Sequence, residues 1–342
     1  MKPQIWKFGI VGMGSIASFH IKSLEELPNC EVVALCSSNA ERAKEAGQHY
    51  HLPAFTDTAK MISEVDLDAI VICSASGYHL EPTLTAAKAG KHVICEKPLE
   101  VTVERADEMI QTCRDAGVKL GCIFQSRFKP DFMRIQKVVA EGKLGKLLLG
   151  NAYVKWFRSQ EYYDSRPWRG TYTGDGGAAL INQSIHTIDL LQCIMGPVES
   201  VYGKTRTLTH NIEGEDLGLA MLTFKNGALG TIEGSTSLYP GYPERLEIHG
   251  SLGGIVYEGG KITVWNVPGE EGQLPNDKPV GGSGASDPLA IDYIWHKMQL
   301  QDFVEALEAD REPAINGEEG RKSLEIIRAV YESNRLGKEV KL

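Results

Sequence analysis

Two groups of residues in this 342-residue chain have the types and spacing to handle a proton. The first is Glu96-Lys97-Pro98, directly after the apolar run Val93-Ile94-Cys95. That run has the length and composition of a buried parallel strand, and Pro98, with no N–H to donate, must end it. Glu96 and Lys97 then fall at the carboxyl edge of a sheet, where open α/β folds hold their ligands. A lysine there either snorkels to solvent or points into a cleft and exchanges a proton with substrate. The second group lies in Gly177 to Met195, whose periodicity predicts a helix. At about 100° per residue, Asn182, His186 and Asp189 share one face, and Leu180, Ile181, Ile185, Ile188, Leu191 and Ile194 take much of the rest. Such a face is either the solvent side or a binding face. Asp189, one turn beyond His186, is spaced to orient the imidazole through its other ring nitrogen.

These groups need a scaffold, and the first third of the chain supplies one. Trp6 to Val11 reads as a strand, followed at once by Gly12-Met13-Gly14-Ser15-Ile16-Ala17. In this G-x-G-x-x-A pattern Gly12 permits a tight turn, Gly14 admits a pyrophosphate, and Ala17 allows close packing of the helix. Ser15 and Ile16 open that helix, whose N–H groups and dipole favour phosphate. A second strand, Glu31 to Cys36, follows at βαβ distance. Where an acid would hold the ribose of NAD, the chain has Ser37-Ser38-Asn39, with Arg42 and Lys44 just beyond. This leans towards NADP(H) over NAD(H), unless Arg42 and Lys44 are merely a solvated helix face. Ala69 to Cys73 is a further strand, and Ser74 after it is a candidate cofactor contact. His79 either caps the next helix or lies beside the nicotinamide. Helices Glu81 to Ala89 and Val103 to Ala116, and strand Leu120 to Phe124, complete a doubly wound parallel sheet.

After Lys146 the pattern changes to consecutive strands: Leu147 to Phe157, Val198 to Thr207, Leu217 to Phe224, Ala228 to Ser237, Glu244 to His249, Ile255 to Tyr257 and Lys261 to Trp265. Turn signals at Asn226-Gly227 and Gly259-Gly260 argue for an open, mostly antiparallel sheet, a kind of surface that pairs subunits. The organisation expected is a Rossmann domain over 1–124 and a substrate-binding, oligomerising α+β domain over 125–342. Gly269 to Ala285 reads as a mobile loop, and Gln299 to Ala309 and Glu318 to Leu336 as closing helices. Rings and arginines interleave from Trp156 to Gly170. Tyr163, Trp168 and Arg169 are substrate candidates there, unless the loop is simply held by its own stacking. Arg127, after the sixth strand, is placed at the domain junction as a further substrate candidate.

Composition narrows the partners. A net charge of −9 without a basic block disfavours nucleic acid and anionic membrane. No apolar run is long enough to span a bilayer. Seven cysteines, none in C-x-x-C spacing, give neither a disulfide framework nor a metal motif. A cytoplasmic protein without structural metal is the expectation.

Gly12-Met13-Gly14 after a strand, Ser76-Gly77-Tyr78-His79, and Ala89-Gly90-Lys91-His92-Val93-Ile94-Cys95-Glu96-Lys97-Pro98 together resemble the glucose–fructose oxidoreductase / inositol dehydrogenase / rhizopine-catabolism (Gfo/Idh/MocA) family. Gln125-Ser126-Arg127-Phe128 and Gly176 to Asp189 extend the resemblance to nearly the whole chain. It implies an NAD(P)-dependent oxidoreductase acting on sugars, polyols or their derivatives, in homodimers or homotetramers. It implies cofactor contacts from Glu96 and Lys97, with Lys97 as proton donor or acceptor and a cis Lys97–Pro98 peptide. It also implies that the D-x-x-x-H pair of the later helix faces the nicotinamide in a cleft between domains. His186 matches the histidine, whereas Asn182 stands where many members carry aspartate. Asn182 can only hydrogen-bond, so Lys97 and His186 become the titrating pair. The family also holds NAD-dependent glycoside hydrolases and a non-catalytic sugar sensor. Retention of Lys97 and His186 argues against the latter.

Overall fold

The computed structural model describes residues 4–270 and 292–342. The expected loop Gly269 to Ala285 therefore lies, from residue 271 onward, outside the described residues. The chain divides into two compact units, one of Met1–Gln125 with Tyr293–Arg321 and one of Ser126–Asp292 with Lys322–Leu342. The expectation that everything beyond residue 124 belongs to the second domain thus needs correction for 293–321.

In the first unit, strands β1 (Trp6–Val11), β2 (Cys30–Cys36), β3 (Ala54–Phe55), β4 (Ala69–Ile72), β5 (His92–Cys95) and β6 (Leu120–Cys122) form a parallel sheet. Their order is β3-β2-β1-β4-β5-β6. Helices α1 (Ala17–Glu25), α2 (Ala40–Tyr50), α3 (Thr58–Glu64), α4 (Leu80–Lys88) and α5 (Val103–Asp115) make the crossovers. Strands buried on both faces read as unbroken apolar runs, and Ala69 to Ile72 are all fully buried. The late segment 293–321 joins this unit because its helix (Ile294–Glu308) has an apolar stripe. Leu300, Phe303 and Val304 enter the core with Phe8, Ile21, Leu24 and Ile94, each contributing roughly 1.5–3 kcal/mol by burial. The same helix covers the sheet edge: Gln299 accepts from the Phe124 N–H at 3.0 Å and donates to the Cys122 carbonyl at 2.7 Å. An open edge is thereby satisfied by a side-chain amide.

In the second unit, α6 (Pro130–Ala140) leads into β7 (Leu147–Lys155) and a short α7 (Gln160–Asp164). Helix α8 (Ile185–Met195) is followed by β8 (Val198–Arg206), β9 (Leu217–Phe224), β10 (Leu229–Ser235), β11 (Arg245–Gly250), β12 (Gly254–Glu258) and β13 (Lys261–Asn266). The late helix of the first unit is then α9, and α10 (Gly317–Leu336) and β14 (Val340–Lys341) end the chain. The sheet order is β13-β12-β11-β7-β10-β9-β8-β14, antiparallel except for the β7–β10 pair. Period-two alternation assigns the faces: Gly218, Ala220, Leu222 and Phe224 of β9 are buried, while Leu219 and Met221 are exposed. On the buried face a Cβ at Gly218 or Gly234 would lie 2.6 Å from Leu180. Those glycines let the helix that carries Asn182 and His186 settle directly on the sheet.

No helix among the described residues is long and apolar enough to cross a membrane. The seven cysteines form no disulfide.

Candidate active site

The turn after β1 is built for a ligand. Gly12 has φ +95°, and a Cβ there would lie 2.4 Å from the Ser74 backbone nitrogen, so strain and packing both demand glycine. Gly14 differs: its backbone is ordinary, and a Cβ would meet nothing of the chain nearer than 3.9 Å. Neither strain nor packing requires glycine at 14. The space beside its backbone is open to the close approach of a ligand. Helix α1 starts at Ala17 with no side-chain cap and no acid in its first turn, an end whose dipole favours an anion. These residues fit the pyrophosphate of a dinucleotide. At the end of β2, Asn39 caps α2 by accepting from the Arg42 N–H at 2.9 Å. Ser37 is buried, while Ser38 and the Arg42 side chain are exposed. Ser74 is half-buried, its hydroxyl donating to the Tyr78 carbonyl.

At the end of β5, every residue from Val93 to Val101 is buried except Lys97. The Lys97–Pro98 peptide is cis. The Glu96 side chain, expected as a cofactor contact, is engaged within the first unit. Its carboxylate accepts from His20 Nε2 at 2.7 Å and from the Lys97 N–H at 3.2 Å. Burial would raise its pKa, but the His20 hydrogen bond and the charges of His20, His296 and Lys97 hold it at about 2. His79 is likewise corrected. It is fully buried, its ring between the carbonyls of Pro98 and Leu99 on one nitrogen and that of Ser74 on the other. It makes no side-chain cap of α4. It braces the two loops that follow β4 and β5.

In the second unit the expected helix is two pieces, a π-helical turn Ala179–Ser184 followed by α8. The wider turn is closed by Ser184 Oγ donating to the Ala179 carbonyl, five residues back, and such insertions gather at functional sites. From Ala179 to Gln192 only Asn182 and His186 escape burial. Their face is therefore not a general solvent side. Asn182 donates to Asp175, a buried carboxylate, and accepts from Gln183 Nε2 at 2.7 Å. Gln183 in turn accepts from Arg158 at 2.8 Å. Asp189 is fully buried, and both its oxygens receive the Arg127 fork, at 2.8 and 2.6 Å. Arg127, expected as a substrate contact, forms a buried ion pair with Asp189.

The aromatic loop is held largely by itself. Arg169 lies 4.0 Å from the Tyr162 ring centre and donates to Tyr162 O and Ser165. Trp168 stacks more loosely, 5.6 Å from the Arg169 guanidinium. Tyr163 is buried, its hydroxyl 2.7 Å from that of Thr236, so it too is corrected to a structural role. Trp168 and Arg169 stay half-buried.

Four groups escaped the sequence reading: His20, His296, Asp175 and Glu215. Glu215 is fully buried and accepts from the Leu180 N–H at 2.7 Å, the Ala178 N–H at 3.3 Å and the Tyr331 hydroxyl at 2.9 Å. Burial raises its pKa to about 7 against those donors. One signal was visible: His20 interrupts the apolar face Ala17, Ile21, Leu24. The other three had none, because their partners lie far along the chain.

The two units, a parallel sheet with a glycine turn that fits a pyrophosphate and an open sheet backed by a helix, are those of a nicotinamide-dependent dehydrogenase or reductase acting on CH–OH groups. Residues 6–124 match the NAD-binding Rossmann model of the GFO/IDH/MocA oxidoreductase family, and residues 132–256 match a C-terminal domain model of that family. The chain belongs to that family. It is 32% identical to the WlbA dehydrogenase of Bordetella pertussis, solved with NADH and UDP-GlcNAcA, with a TM-score of 0.88 over 99% of each chain. It is 28% identical to the myo-inositol 2-dehydrogenase of Thermotoga maritima over 98% of each sequence. A third relative, the 1,5-anhydro-D-fructose reductase of Ensifer adhaerens, is 26% identical over 98% of each.

Proposed function

We propose that this protein oxidises a hydroxyl of a sugar, polyol or sugar derivative reversibly, with Lys97 as the proton acceptor. The observation that carries the reading is the window at Lys97, the one residue from Val93 to Val101 that is not buried. When bound, a nicotinamide supplies the hydride acceptor. Lys97 takes the hydroxyl proton in the oxidative direction and returns it in the reductive one. On the second unit, Asn182 and His186 bind substrate oxygen. Asn182, held by Asp175 and Gln183, positions without titrating. Exposed Ser38 and Arg42, with Ser37-Ser38-Asn39 rather than an acid at the end of β2, support use of NADP(H) slightly ahead of NAD(H). The exposed apolar residues Leu219, Met221 and Leu229 on the open sheet face support pairing of copies, which light scattering checks.

The test is a substrate screen with NAD+ and NADP+ in parallel, followed by Lys97→Met. The WlbA complex makes a nucleotide-linked sugar acid the first compound to try, and the Thermotoga relative makes myo-inositol the second. Lys97→Met should lower turnover about 10²–10⁴-fold while cofactor affinity holds. Lys97→Arg should not rescue it, since arginine keeps its proton. Near-normal turnover in Lys97→Met would pass the role to His186. Product formed with no net change in nicotinamide absorbance would instead mark a glycoside hydrolase.

A further inference from the structure

Three buried groups from distant parts of the first unit meet behind Lys97. His20 comes from α1, Glu96 from the end of β5 and His296 from α9. Their ligating atoms all lie within 4.8 Å of one another. His20 Nε2 is 2.7 Å from Glu96 Oε1, and His296 Nε2 is 3.8 Å from the same oxygen. The two rings meet edge to face at 5.3 Å. Two histidines and a carboxylate form a familiar metal-binding set, so the first question is whether the site belongs to a metal or to a proton. Tetrahedral bonds of about 2.0–2.1 Å separate neighbouring ligand atoms by about 3.3 Å. The 2.7 Å spacing is too short for that edge and is right for a hydrogen bond. The site holds a proton.

That proton can be located. An ionised carboxylate only accepts, so the ring proton of His20 lies on Nε2. His20 Nδ1 is buried and has no hydrogen-bond partner among the described residues, so a second ring proton would face nothing that accepts it. The pair therefore keeps the negative charge of Glu96, and its other oxygen receives the backbone N–H of Lys97. The remaining titratable groups nearby are Cys73 on β4 and Cys95 on β5. Burial pushes both thiols well up, and the charge of Glu96 adds to it. Lys97 is a cation on which this buried charge acts.

We infer that His20, Glu96 and His296 form a clamp that positions Lys97 and raises its affinity for a proton. The inference rests on the reading of Lys97 as proton acceptor and names the residues that tune it. His20 and His296 are positioning residues: they hold Glu96 in one rotamer and keep it ionised. Glu96 holds the Lys97 backbone and favours its ammonium.

The experiment reads Lys97 directly, with no substrate. The full-length chain is reductively methylated with ¹³C-formaldehyde, and the Lys97 resonance is identified by its loss in Lys97→Met. In Glu96→Gln the midpoint of the Lys97 titration should fall by about one pH unit. In Glu96→Asp, which keeps the charge, it should stay close to wild type. NADH binding reports that each variant is folded. Should Glu96→Gln fail to fold, ¹⁵N-histidine spectra of the wild type at neutral pH serve instead: His20 should carry its proton on Nε2. An unchanged Lys97 midpoint in Glu96→Gln overturns the clamp. So does a His20 ring whose proton lies on Nδ1 at neutral pH, or one equivalent of zinc that survives dialysis. The two readings fail separately. An inactive Lys97→Met with an unmoved midpoint sinks only the clamp, whereas an active Lys97→Met sinks the acid–base role whatever the midpoint does.

Discussion

The two units each bury a glutamate directly behind a site element, and the two glutamates are driven in opposite directions. Glu96 lies behind Lys97 and is held at about 2, whereas Glu215 lies behind the start of the helix bearing Asn182 and His186 and is raised to about 7. Desolvation pushes both upward. What differs is the company. Glu96 has the His20 hydrogen bond and nearby positive charge, the Lys97 ammonium included, which together more than offset burial. Glu215 has only neutral donors, two backbone N–H groups and a phenol, and these do not. For these two glutamates, three hydrogen bonds from neutral donors do not offset burial, whereas the His20 hydrogen bond together with nearby positive charge does. The first unit thus holds a buried charge next to Lys97, and the second keeps its buried acid raised while it accepts from the backbone at the start of a helix.

The sharpest way to break this comparison is the ion pair Arg127–Asp189. It is the place where the second unit does match a buried carboxylate with a cation. Arg127→Leu leaves Asp189 charged and fully buried, and should cost about 3–5 kcal/mol of stability. A thermal midpoint unchanged in that variant would show that buried charge in this unit needs no partner.

The next effect is a pH dependence on Glu215. An acid whose folded pKa is raised above its unfolded 4.5 favours the folded state when protonated, so stability should fall as pH rises from about 4.5 through 7. The loss is on the order of 3 kcal/mol. Glu215→Gln should flatten that slope, read by denaturant unfolding at several pH values. A wild type equally stable across this window contradicts the assignment.

Glu96 predicts the reverse window. Its folded pKa is depressed, so its contribution is present above about 4.5 and is lost as pH falls towards 2. Acid unfolding followed by Trp6 fluorescence, with the other tryptophans replaced, should show a loss of a few kcal/mol that Glu96→Gln removes. If acid leaves the first unit intact while alkali destabilises it, the contrast between the glutamates has been drawn the wrong way round.

The smallest effect lies far from either glutamate, at the exposed Arg42. Arg42→Ala should weaken NADP(H) by roughly 1.5–3 kcal/mol and leave NAD(H) nearly untouched. Equal losses for both cofactors would remove the 2′-phosphate contact.

Local physics was enough to read much of this protein from its sequence. The glycine turn, the apolar strands and the period-two alternation of β9 and β10 are properties of neighbouring residues, so the Rossmann sheet and the antiparallel sheet were both legible. So was the polar face of Asn182 and His186, because helical spacing alone puts them together. Other features depended on partners that spacing cannot name. Glu96 and His79 looked like ligand contacts by position, and only the arrival of His20 and of the Pro98 and Leu99 carbonyls turned them inward. Arg127 looked available until Asp189, 62 residues on, took both arms of its fork. The return of α9 to the first unit, which brings His296 to Glu96 across 200 residues of chain, leaves no local mark at all. Burial and charge pairing are decided by whatever else occupies the space. In this protein the sequence by itself determined which residues could do chemistry, and the tertiary structure decided which of them are left to do it.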